Sequence, residues 1–305
     1  MLFRSVTGLG LRHMPELHEG SDAIGQLLPD WTAAWGLPAT VRLAAGAGDN
    51  AGGALGVGVT RPGDGFLSLG TSGVLFVVTP DARANPGRGV HTFCHALPAT
   101  WHQMAVMLSA SSSLAWLGGI TGAPPGDLLA ALTVGQVRAQ APLFLPYLSG
   151  ERTPHADPAA TASLLGMTHA TTRDDVAYAV IEGVAFSFAD GLAALREAGT
   201  RPQRLLAIGG GARSDTWLQL LADALKLPID RPAGAEVGPA LGAARLALLG
   251  LGLPAADVLK PPTLERSFEP DAAAVVALKG RLQRYRDAYA PTRALSPAAP
   301  VRDPF

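Results

Sequence analysis

Residues 41–53 read Val41-Arg42-Leu43-Ala44-Ala45-Gly46-Ala47-Gly48-Asp49-Asn50-Ala51-Gly52-Gly53, and the prediction of the fold starts from them. Residues 41–45 are a short apolar run that predicts a buried strand, and the glycines after it predict a tight turn. Small residues then continue to position 59 and favour a closely packed helix. The turn carries one carboxylate, Asp49, and the local pattern leaves two roles open for it, a helix N-cap or a catalytic base.

The composition limits the kinds of function that the chain can have. It has 305 residues, of which 48% are hydrophobic, enough to form two modest lobes. The formal net charge is -1 and the basic residues are scattered, so we expect neither nucleic acid nor a membrane surface as a partner. The single cysteine excludes an internal disulfide framework. With no signal-peptide pattern at the first residues, it predicts a cytoplasmic location.

The periodicity predicts alternating strands and helices, and therefore an α/β fold with a mixed sheet. Two β-prone runs, at 66–69 and 74–79, flank Gly70-Thr71-Ser72-Gly73 and indicate a hairpin. The sequence Thr171-Thr172-Arg173-Asp174-Asp175 predicts the start of a long amphipathic helix. The other predicted elements are a helix-like segment at 23–35 with no strand before residue 41, a strand at 101–106, a helix at 109–117, a loop at the mouth of a site at 142–150, a strand at 204–208, a helix at 217–225, a buried helix at 240–253 that is too short to cross a membrane, and a helix at 271–289.

Three glycine clusters end or join predicted strands, at residues 46–53, 70–73 and 209–211. Because glycine lets backbone N–H groups approach an anion closely, each cluster is a candidate phosphate-binding turn. Any one of them alone is more simply explained as an ordinary tight turn. Three clusters in one chain make that explanation less favoured.

Two common phosphate-binding motifs can be compared with these clusters. No Gly-Lys dipeptide occurs anywhere, which excludes the Gly-x-x-x-x-Gly-Lys loop. Residues 46–51 match the dinucleotide fingerprint Gly-x-Gly-x-x-Gly/Ala, but the acidic residue expected about 20 positions later at the end of a strand is missing, so this is the weaker alternative. The remaining architecture is a hairpin whose turn holds phosphates, with hydroxyl donors on Thr71 and Ser72.

Several histidines are candidate ligands for a metal ion or a substrate. His91, Cys94 and His95 are close in sequence, but a zinc site needs three or four converging ligands and no second cluster exists. We therefore expect packing or turn roles for them. For Arg152 and His155, contact with a phosphate or a sugar and simple solvation both stay open.

Six motifs, in their order and spacing, resemble the C-terminal part of the FGGY family of carbohydrate kinases, in its xylulokinase branch: GAGDNAGGALGVG, SLGTSG, HTFCHALP, FLPYLSGERTPH, GGGARSDTW and VGPALGAARLA. The resemblance runs from about residue 17 to residue 289. One family pattern fits at every defined position. It consists of Ala162-x-Leu164-x-Gly166-Met167, a gap of seven residues, and Asp175-Val176-x-x-Ala179-Val180-Ile181-Glu182.

The resemblance implies an actin-like, hexokinase-like ATPase fold with ribonuclease-H-like lobes. It implies that Asp49 is the catalytic base and that Asn50 hydrogen-bonds the sugar. ATP is the expected cofactor, and Mg²⁺ is expected to arrive on the ATP phosphates rather than at a protein site. The nucleotide-binding residues that it implies are Gly70, Thr71 and Ser72 near the γ-phosphate, Gly210, Gly211 and Ala212 in the adenosine motif, and Asp215 near the base, with Gly238-Pro239 close to that pocket.

The chain also departs from the family pattern. Relatives open with a lobe that carries an Asp-x-Gly-Thr phosphate loop, and neither Asp-x-Gly-Thr nor Asp-x-Gly-Ser occurs here. We therefore expect a complete second lobe and a first lobe that is largely missing. Residues 1–59 are expected to be a remnant of the N-terminal lobe with the catalytic-base turn, residues 60–290 the C-terminal nucleotide-binding lobe, and residues 291–305 a frayed tail.

The function that the resemblance implies is ATP-dependent phosphorylation of D-xylulose to D-xylulose 5-phosphate, with this chain inactive or nearly so when alone. Two alternatives stay open. One is another FGGY sugar kinase, because the family's sugar-selecting residues lie largely in the first lobe. The other is a noncatalytic nucleotide-binding half that needs a partner chain. The expected partners are a small-molecule sugar and ATP, and either a homodimer or the missing N-terminal lobe.

Overall fold

A seven-stranded mixed sheet forms the centre of the computed structural model, which describes residues 7–234 and 238–296. The strand order is β11-β10-β9-β3-β4-β6-β5, in which β9 is parallel to both β3 and β10 and the other pairs are antiparallel. The seven strands are β3 (Gly65–Leu69), β4 (Gly73–Thr79), β5 (His91–Cys94), β6 (Trp101–Met107), β9 (Leu205–Ile208), β10 (Ile229–Pro232) and β11 (Leu264–Phe268). Two small antiparallel pairs lie apart from it, β1 (Ala23–Gln26) with β2 (Arg42–Ala44) and β7 (Leu143–Leu145) with β8 (Ser163–Leu165).

Helices cover both faces of this sheet. On one face lies α5 (Arg173–Glu197), which contacts β4, β6 and β7. On the other face, Ala54 of α2 (Asp49–Gly56) joins the cluster around Phe66 and Phe76, whose rings stack 4.9 Å apart. The remaining helices are α1 (Pro29–Ala34), α3 (Ser111–Thr121), α4 (Pro125–Ala130), α6 (Asp215–Leu225), α7 (Gly238–Gly250), α8 (Ala255–Val258) and α9 (Ala272–Leu295), with short 3₁₀ turns at Leu11–His13, Pro86–Arg88 and Gly210–Arg213.

The hairpin and the long helix are confirmed. In the hairpin β3 pairs with β4 from Gly65↔Val77 to Leu69↔Gly73, so the residues between them form a tight turn. The long helix begins at a capping box, in which the Asp175 N–H donates to Thr172 Oγ1 (3.2 Å) and the Thr172 N–H donates to Asp175 Oδ2 (3.0 Å). By length and composition α5 could cross a membrane, but 89% of its most apolar window is buried inside the protein, as in the core helix of a soluble protein.

The segment before residue 41 differs from its prediction. Residues 23–26 form β1 instead of a helix, and the helix begins only at Pro29. Proline favours the first turn of a helix and disfavours helical geometry in the residue before it, so a helix that starts at Pro29 cannot extend back to Ala23. The strand predicted at 41–45 is present as β2, but its Leu43 is 40% exposed, so the prediction that it is buried was wrong.

Three further predictions were wrong in part. Residues 142–150 form β7 and buried core that includes Tyr147, rather than a loop at a site. The helix at 240–253 is α7, which ends at Gly250 and buries only Gly238, Gly242 and Leu246 among its described residues. The tail does not fray at Pro291, because α9 continues to Leu295; residues 297–305 lie outside the described part of the chain.

Tertiary contacts explain why α9 continues past its proline, which removes one backbone donor from the helix. Tyr289 Oη donates to Asp157 Oδ2 (2.8 Å), and Arg293 Nε pairs with the same oxygen. These bonds hold the last turns of α9 on the body of the protein.

Glycines allow α2 and α7 to pack in backbone contact. A Cβ atom added at Gly56 would lie 1.8 Å from the carbonyl oxygen of Gly238. One added at Gly242 would lie 1.8 Å from the carbonyl oxygen of Gly52. In each helix the two glycines are four positions apart, so they lie on one face. The position of α2, and of Asp49 at its first turn, is therefore fixed by contact with α7.

Replacing Gly242 by alanine is expected to lower the free energy of unfolding by about 1–3 kcal/mol, because the new methyl group would overlap the Gly52 carbonyl and force the helices apart. Urea unfolding followed by circular dichroism measures this change. The matched control is Gly119→Ala in α3, where an added Cβ meets no atom within 4 Å. There the better helix propensity of alanine should stabilise the protein by up to about 1 kcal/mol. Equal effects at the two positions would contradict the packing argument.

Candidate nucleotide-binding site

A cavity of about 750 Å³ lies where the hairpin turn after β3 meets the glycine turn after β9. Of the residues predicted from the sequence, Gly70, Thr71, Gly210 and Gly211 line it. The N-terminal turn of α6 forms another wall, and α3 and α4 complete it with apolar side chains. Two segments that are far apart in the chain therefore build one concave site, as binding pockets for small molecules commonly are.

The hairpin turn is held by its carbonyl oxygens. The N–H group of Ser111 donates to the Gly70 oxygen (2.9 Å), and the N–H group of Ala110 donates to the Thr71 oxygen (2.9 Å). Two hydroxyl groups add to this, with Ser111 Oγ donating to the Leu69 oxygen (2.9 Å) and Ser112 Oγ to the Thr71 oxygen (2.8 Å). Residues at the start of α3 thus anchor the turn through its carbonyl oxygens. A phosphate group needs hydrogen-bond donors, so these contacts do not compete with phosphate binding.

Close backbone contact requires the glycines after β9. Gly209 has a φ of +88°, and a Cβ atom there would lie 2.9 Å from the carbonyl carbon of Leu69. A Cβ atom on Gly211 would lie 2.8 Å from that of Leu69 and 3.1 Å from the Trp217 ring. Gly210 differs, because an added Cβ would meet no atom within 4 Å. The outer two glycines are therefore needed for packing, and Gly210 faces open space.

The start of α6 gives the cavity favourable electrostatics for an anion. Ser214 caps this 11-residue helix by accepting a hydrogen bond from the Trp217 N–H (3.2 Å). The free N–H groups and the helix dipole make such a terminus attractive to negative charge. Ser214, Thr216 and Trp217 all line the cavity, and Trp217 is 1% exposed. The apolar part of the wall includes Leu114, Leu129, Ala130 and Pro125.

Three of the predicted nucleotide-binding residues do not line this cavity. Ser72 and Ala212 only neighbour residues that do, and Ala212 is buried. Asp215 is engaged elsewhere, because Oδ1 pairs with Arg231 Nη1 (2.7 Å) and Oδ2 pairs with Arg266. Those ion pairs tie β10 and β11 to the start of α6.

Asp49 is exposed at the first helical position of α2, after the turn in which Gly46 has a φ of +86°. The N-cap residue is Gly48, and Asp49 makes no cap hydrogen bond, so its N-cap interpretation was wrong. Its Oδ1 accepts hydrogen bonds from the backbone N–H of Asn50 (2.7 Å) and from Asn50 Nδ2 (3.2 Å). The two residues therefore act as a pair, which lies outside the cavity lining.

Arg152 and His155 also lie away from the cavity lining. His155 stacks on Tyr289 at 3.5 Å, and burial lowers its pKa to about 4. Arg152 is exposed beside His91 (3.4 Å). The buried His95 packs edge-on against Phe76 at 5.9 Å.

Sequence reasoning missed Glu151, which is 1% exposed. Its Oε1 accepts hydrogen bonds from the N–H groups of Leu108 (3.0 Å) and Arg152 (2.8 Å), and burial raises its pKa to about 7. The only signal in the sequence was its place between Gly150 and Arg152, directly after a segment expected to be a loop, which does not distinguish a solvated glutamate from a buried one.

A family model for the C-terminal domain of the FGGY family of carbohydrate kinases matches residues 65–251. The chain belongs to the FGGY family of carbohydrate kinases. The predicted family resemblance is thereby confirmed. Among curated FGGY relatives, it is 46% identical to the xylulose kinase of Escherichia coli over 279 residues, which are 90% of this chain and 57% of that protein. It is 35% identical to the xylulose kinase of Bacillus subtilis, over 95% of this chain and 59% of that protein.

Solved FGGY structures confirm the actin-like, hexokinase-like α/β fold. The crystal structure of a xyloylose kinase from Brucella ovis matches with a TM-score of 0.90 and 46% identity, covering 96% of this chain and 60% of that one. A xylulose kinase from Rhodospirillum rubrum matches with a TM-score of 0.83 and 28% identity, covering 95% of this chain and 60% of that one. The chain therefore spans less than two thirds of the length of these relatives.

Proposed function

We propose that this chain is the nucleotide-binding part of an ATP-dependent sugar kinase that converts D-xylulose to D-xylulose 5-phosphate. The observation that carries the proposal is the cavity in which two glycine turns and a helix N-terminus converge. The substrate is proposed from the relatives named xylulose kinase, which are up to 46% identical. Kinase chemistry depends mostly on positioning and on neutralising charge, which a rigid turn and a helix terminus can provide.

The chemistry of the cavity walls suits the parts of ATP. The apolar side chains of Leu114, Leu129 and Trp217 would contact the adenine ring, and Gly210 would let the nucleotide pass close to the backbone. The N–H and hydroxyl groups of Thr71, which lines the cavity, and those of the adjacent Ser72 would bind the phosphates. The described residues contain no cluster of three or more histidine, cysteine or acidic side chains that could hold a metal ion. We propose that Mg²⁺ binds through the ATP phosphates, because in kinases the metal ion bridges the β- and γ-phosphate oxygens.

In the proposed reaction Asp49 accepts the proton of the attacking sugar hydroxyl, and Asn50 hydrogen-bonds the sugar. An exposed carboxylate at a helix start, in no ion pair within the described residues, is free to take that role. Such kinases close two lobes around their substrates, which excludes water and aligns the reacting groups. We propose that residues 1–59 belong to the first lobe and 60–290 to the second, and that this chain alone has little or no activity.

Exposed apolar side chains before residue 40 support the proposal that another protein surface packs against this region. Leu28 is 65% exposed, and Trp31 and Trp35 pack together with exposures of 50% and 60%. A first lobe, or a second copy of the chain, would bury them.

Another FGGY sugar kinase and a noncatalytic half with a partner chain remain the alternative functions. A cytoplasmic location accompanies the proposal and is supported by the unpaired Cys94.

Replacing Gly210 by valine tests the nucleotide site. The new side chain would enter open space, so the fold should tolerate it, but it would occupy the path of the nucleotide. We expect MgATP affinity, measured by isothermal titration calorimetry, to fall at least about tenfold, equivalent to about 1.4 kcal/mol. The matched control is Gly87→Val, in another short 3₁₀ turn with open space but outside the lining of this cavity, where affinity should not change. Absence of binding by the unmodified chain at millimolar MgATP would overturn the proposal.

A further inference from the structure

Glu151 is a buried carboxylate that the proposed reaction does not use. Its Oε1 accepts two backbone hydrogen bonds, whereas Oε2 is buried and has no partner within the described residues. A buried charge with one unsatisfied oxygen lowers stability, and proteins commonly retain such groups for a functional reason. The position of Glu151 therefore needs an explanation beyond packing.

The residues around Glu151 run alongside the end of β6. The N–H group of Thr153 donates to the Val106 oxygen (3.0 Å), and the N–H group of Val106 donates to Thr153 Oγ1 (3.0 Å). Two residues further along the strand, the N–H group of Leu108 donates to Glu151 Oε1. Glu151 thus continues the pairing to a residue beyond the last residue of β6, Met107.

Residues 108–110 connect β6 to α3 and belong to neither element. The end of this connection holds the hairpin turn. The N–H groups of Ala110 and Ser111 donate to the carbonyl oxygens of Thr71 and Gly70, respectively. Ser109 lies between Leu108 and Ala110 and is fully buried, and its Oγ has no hydrogen-bond partner in the described residues. The covalent backbone of residues 108–111 therefore links Glu151 to the proposed phosphate-binding turn, with hydrogen bonds to Glu151 at one end and to the turn at the other.

We propose that Glu151 is a positioning residue that holds residues 108–112 against the turn Gly70-Thr71-Ser72 and so sets the affinity of that turn for phosphate groups. The inference rests on the proposed nucleotide site. When ionised, Glu151 accepts both N–H bonds as charge-assisted hydrogen bonds, which are stronger than those to a neutral carboxyl group. The connection is then held most rigidly.

This arrangement makes the turn sensitive to pH. Burial raises the pKa of Glu151 to about 7, against the hydrogen bonds from Leu108 and Arg152 and the charge of Arg152, which lower it. The other titratable groups that interact with Glu151 are the phenols of Tyr147, Tyr285 and Tyr289, and burial raises the pKa of each. They stay neutral near pH 7. The folded protein keeps the Glu151 proton where the unfolded chain has lost it, so this group lowers stability as pH rises from about 4.5 to 7. Phosphate binding should strengthen as Glu151 ionises, which happens around pH 7.

The test compares MgATP with adenosine, which lacks phosphates, as ligands of the unmodified chain and of Glu151→Gln. The variant keeps an acceptor oxygen but loses the charge. We expect its MgATP affinity at pH 8 to fall about tenfold, as for the loss of a charge-assisted hydrogen bond, with adenosine affinity unchanged. Because phosphates also titrate near pH 7, the second readout is the difference between the two proteins from pH 6 to 8, which should vanish at the lower pH. Glu19→Gln, at an exposed position, is the control.

A second variant keeps the test decisive if Glu151→Gln does not fold. Ser112→Ala removes the hydroxyl bond to the Thr71 oxygen at the other end of the same chain of contacts. It should weaken MgATP binding and spare adenosine. Equal losses of affinity for both ligands, or an unchanged MgATP affinity and pH profile, would overturn the proposed role of Glu151 but not the proposed nucleotide site. If the unmodified chain binds neither ligand, the proposed nucleotide site is what fails.

Discussion

Replacing Asp49 by asparagine is expected to lower the turnover number for D-xylulose phosphorylation by about 10²–10⁴-fold, because asparagine cannot accept the proton of the attacking hydroxyl group. The measurement needs both lobes. We would therefore join this chain to the N-terminal part of the Escherichia coli xylulose kinase, the part that the chain does not cover. The affinity for MgATP should stay unchanged, because Asp49 does not line the nucleotide cavity.

The structure offers a close control for this substitution. Asp30 is also an exposed aspartate in the first turn of a short helix, so Asp30→Asn makes the same chemical change in the same local setting. Turnover of the Asp30 variant should equal that of the intact chimera. If the Asp49 variant also retained full turnover, Asp49 would be removed from the mechanism, whereas equal losses in both variants would indicate a general effect of charge.

Replacing Arg281 by methionine is expected to lower the free energy of unfolding by about 3–5 kcal/mol. Arg281 and Glu182 are 4% and 1% exposed and form a bidentate ion pair, with Nε–Oε1 and Nη2–Oε2 distances of 2.6 Å. Arg281 also donates to the carbonyl oxygens of Ala139, Ala141 and Pro142. Without the guanidinium group, a carboxylate and three carbonyl oxygens lose their donor inside the core. Chemical denaturation at pH 7 measures the loss.

Two variants separate this effect from a change in helix composition. Arg284→Met lies on the same helix, α9, but is exposed, and its effect should stay within about 0.5 kcal/mol. The double variant Arg281→Met with Glu182→Leu removes the uncompensated charge and should recover part of the lost stability. A double variant less stable than Arg281→Met alone would contradict the explanation.

Much of the fold could be predicted because its signals are local. The hairpin follows from two β-prone runs around Gly70-Thr71-Ser72-Gly73, and the start of α5 follows from Thr172 and Asp175, which cap each other across three positions. Such interactions join residues that are close in the chain, so their pattern is visible without a tertiary structure. Family membership was also visible, because the motifs that carry it are contiguous.

Predictions failed where the partner of a segment is remote. The apolar spacing around residues 23–28 suits a helix, but residues 23–26 form a strand because they pair with Arg42–Ala44. Pro291 predicts the end of a helix, but α9 continues because Tyr289 and Arg293 bond to Asp157. In both cases tertiary contacts outweigh a weak local preference.

By itself, the sequence predicted glycine turns within residues 46–53, 70–73 and 209–211 and showed that Asp49 lies in the first of these clusters. Only the tertiary structure decided that the second and third turns share one cavity, because the parallel pairing of β3 with β9 brings their ends together. It also decided that Asp215 forms ion pairs with two arginines and that Glu151 is buried. Burial and ion pairing depend on which distant segments become neighbours, and no periodicity in a single chain encodes that choice.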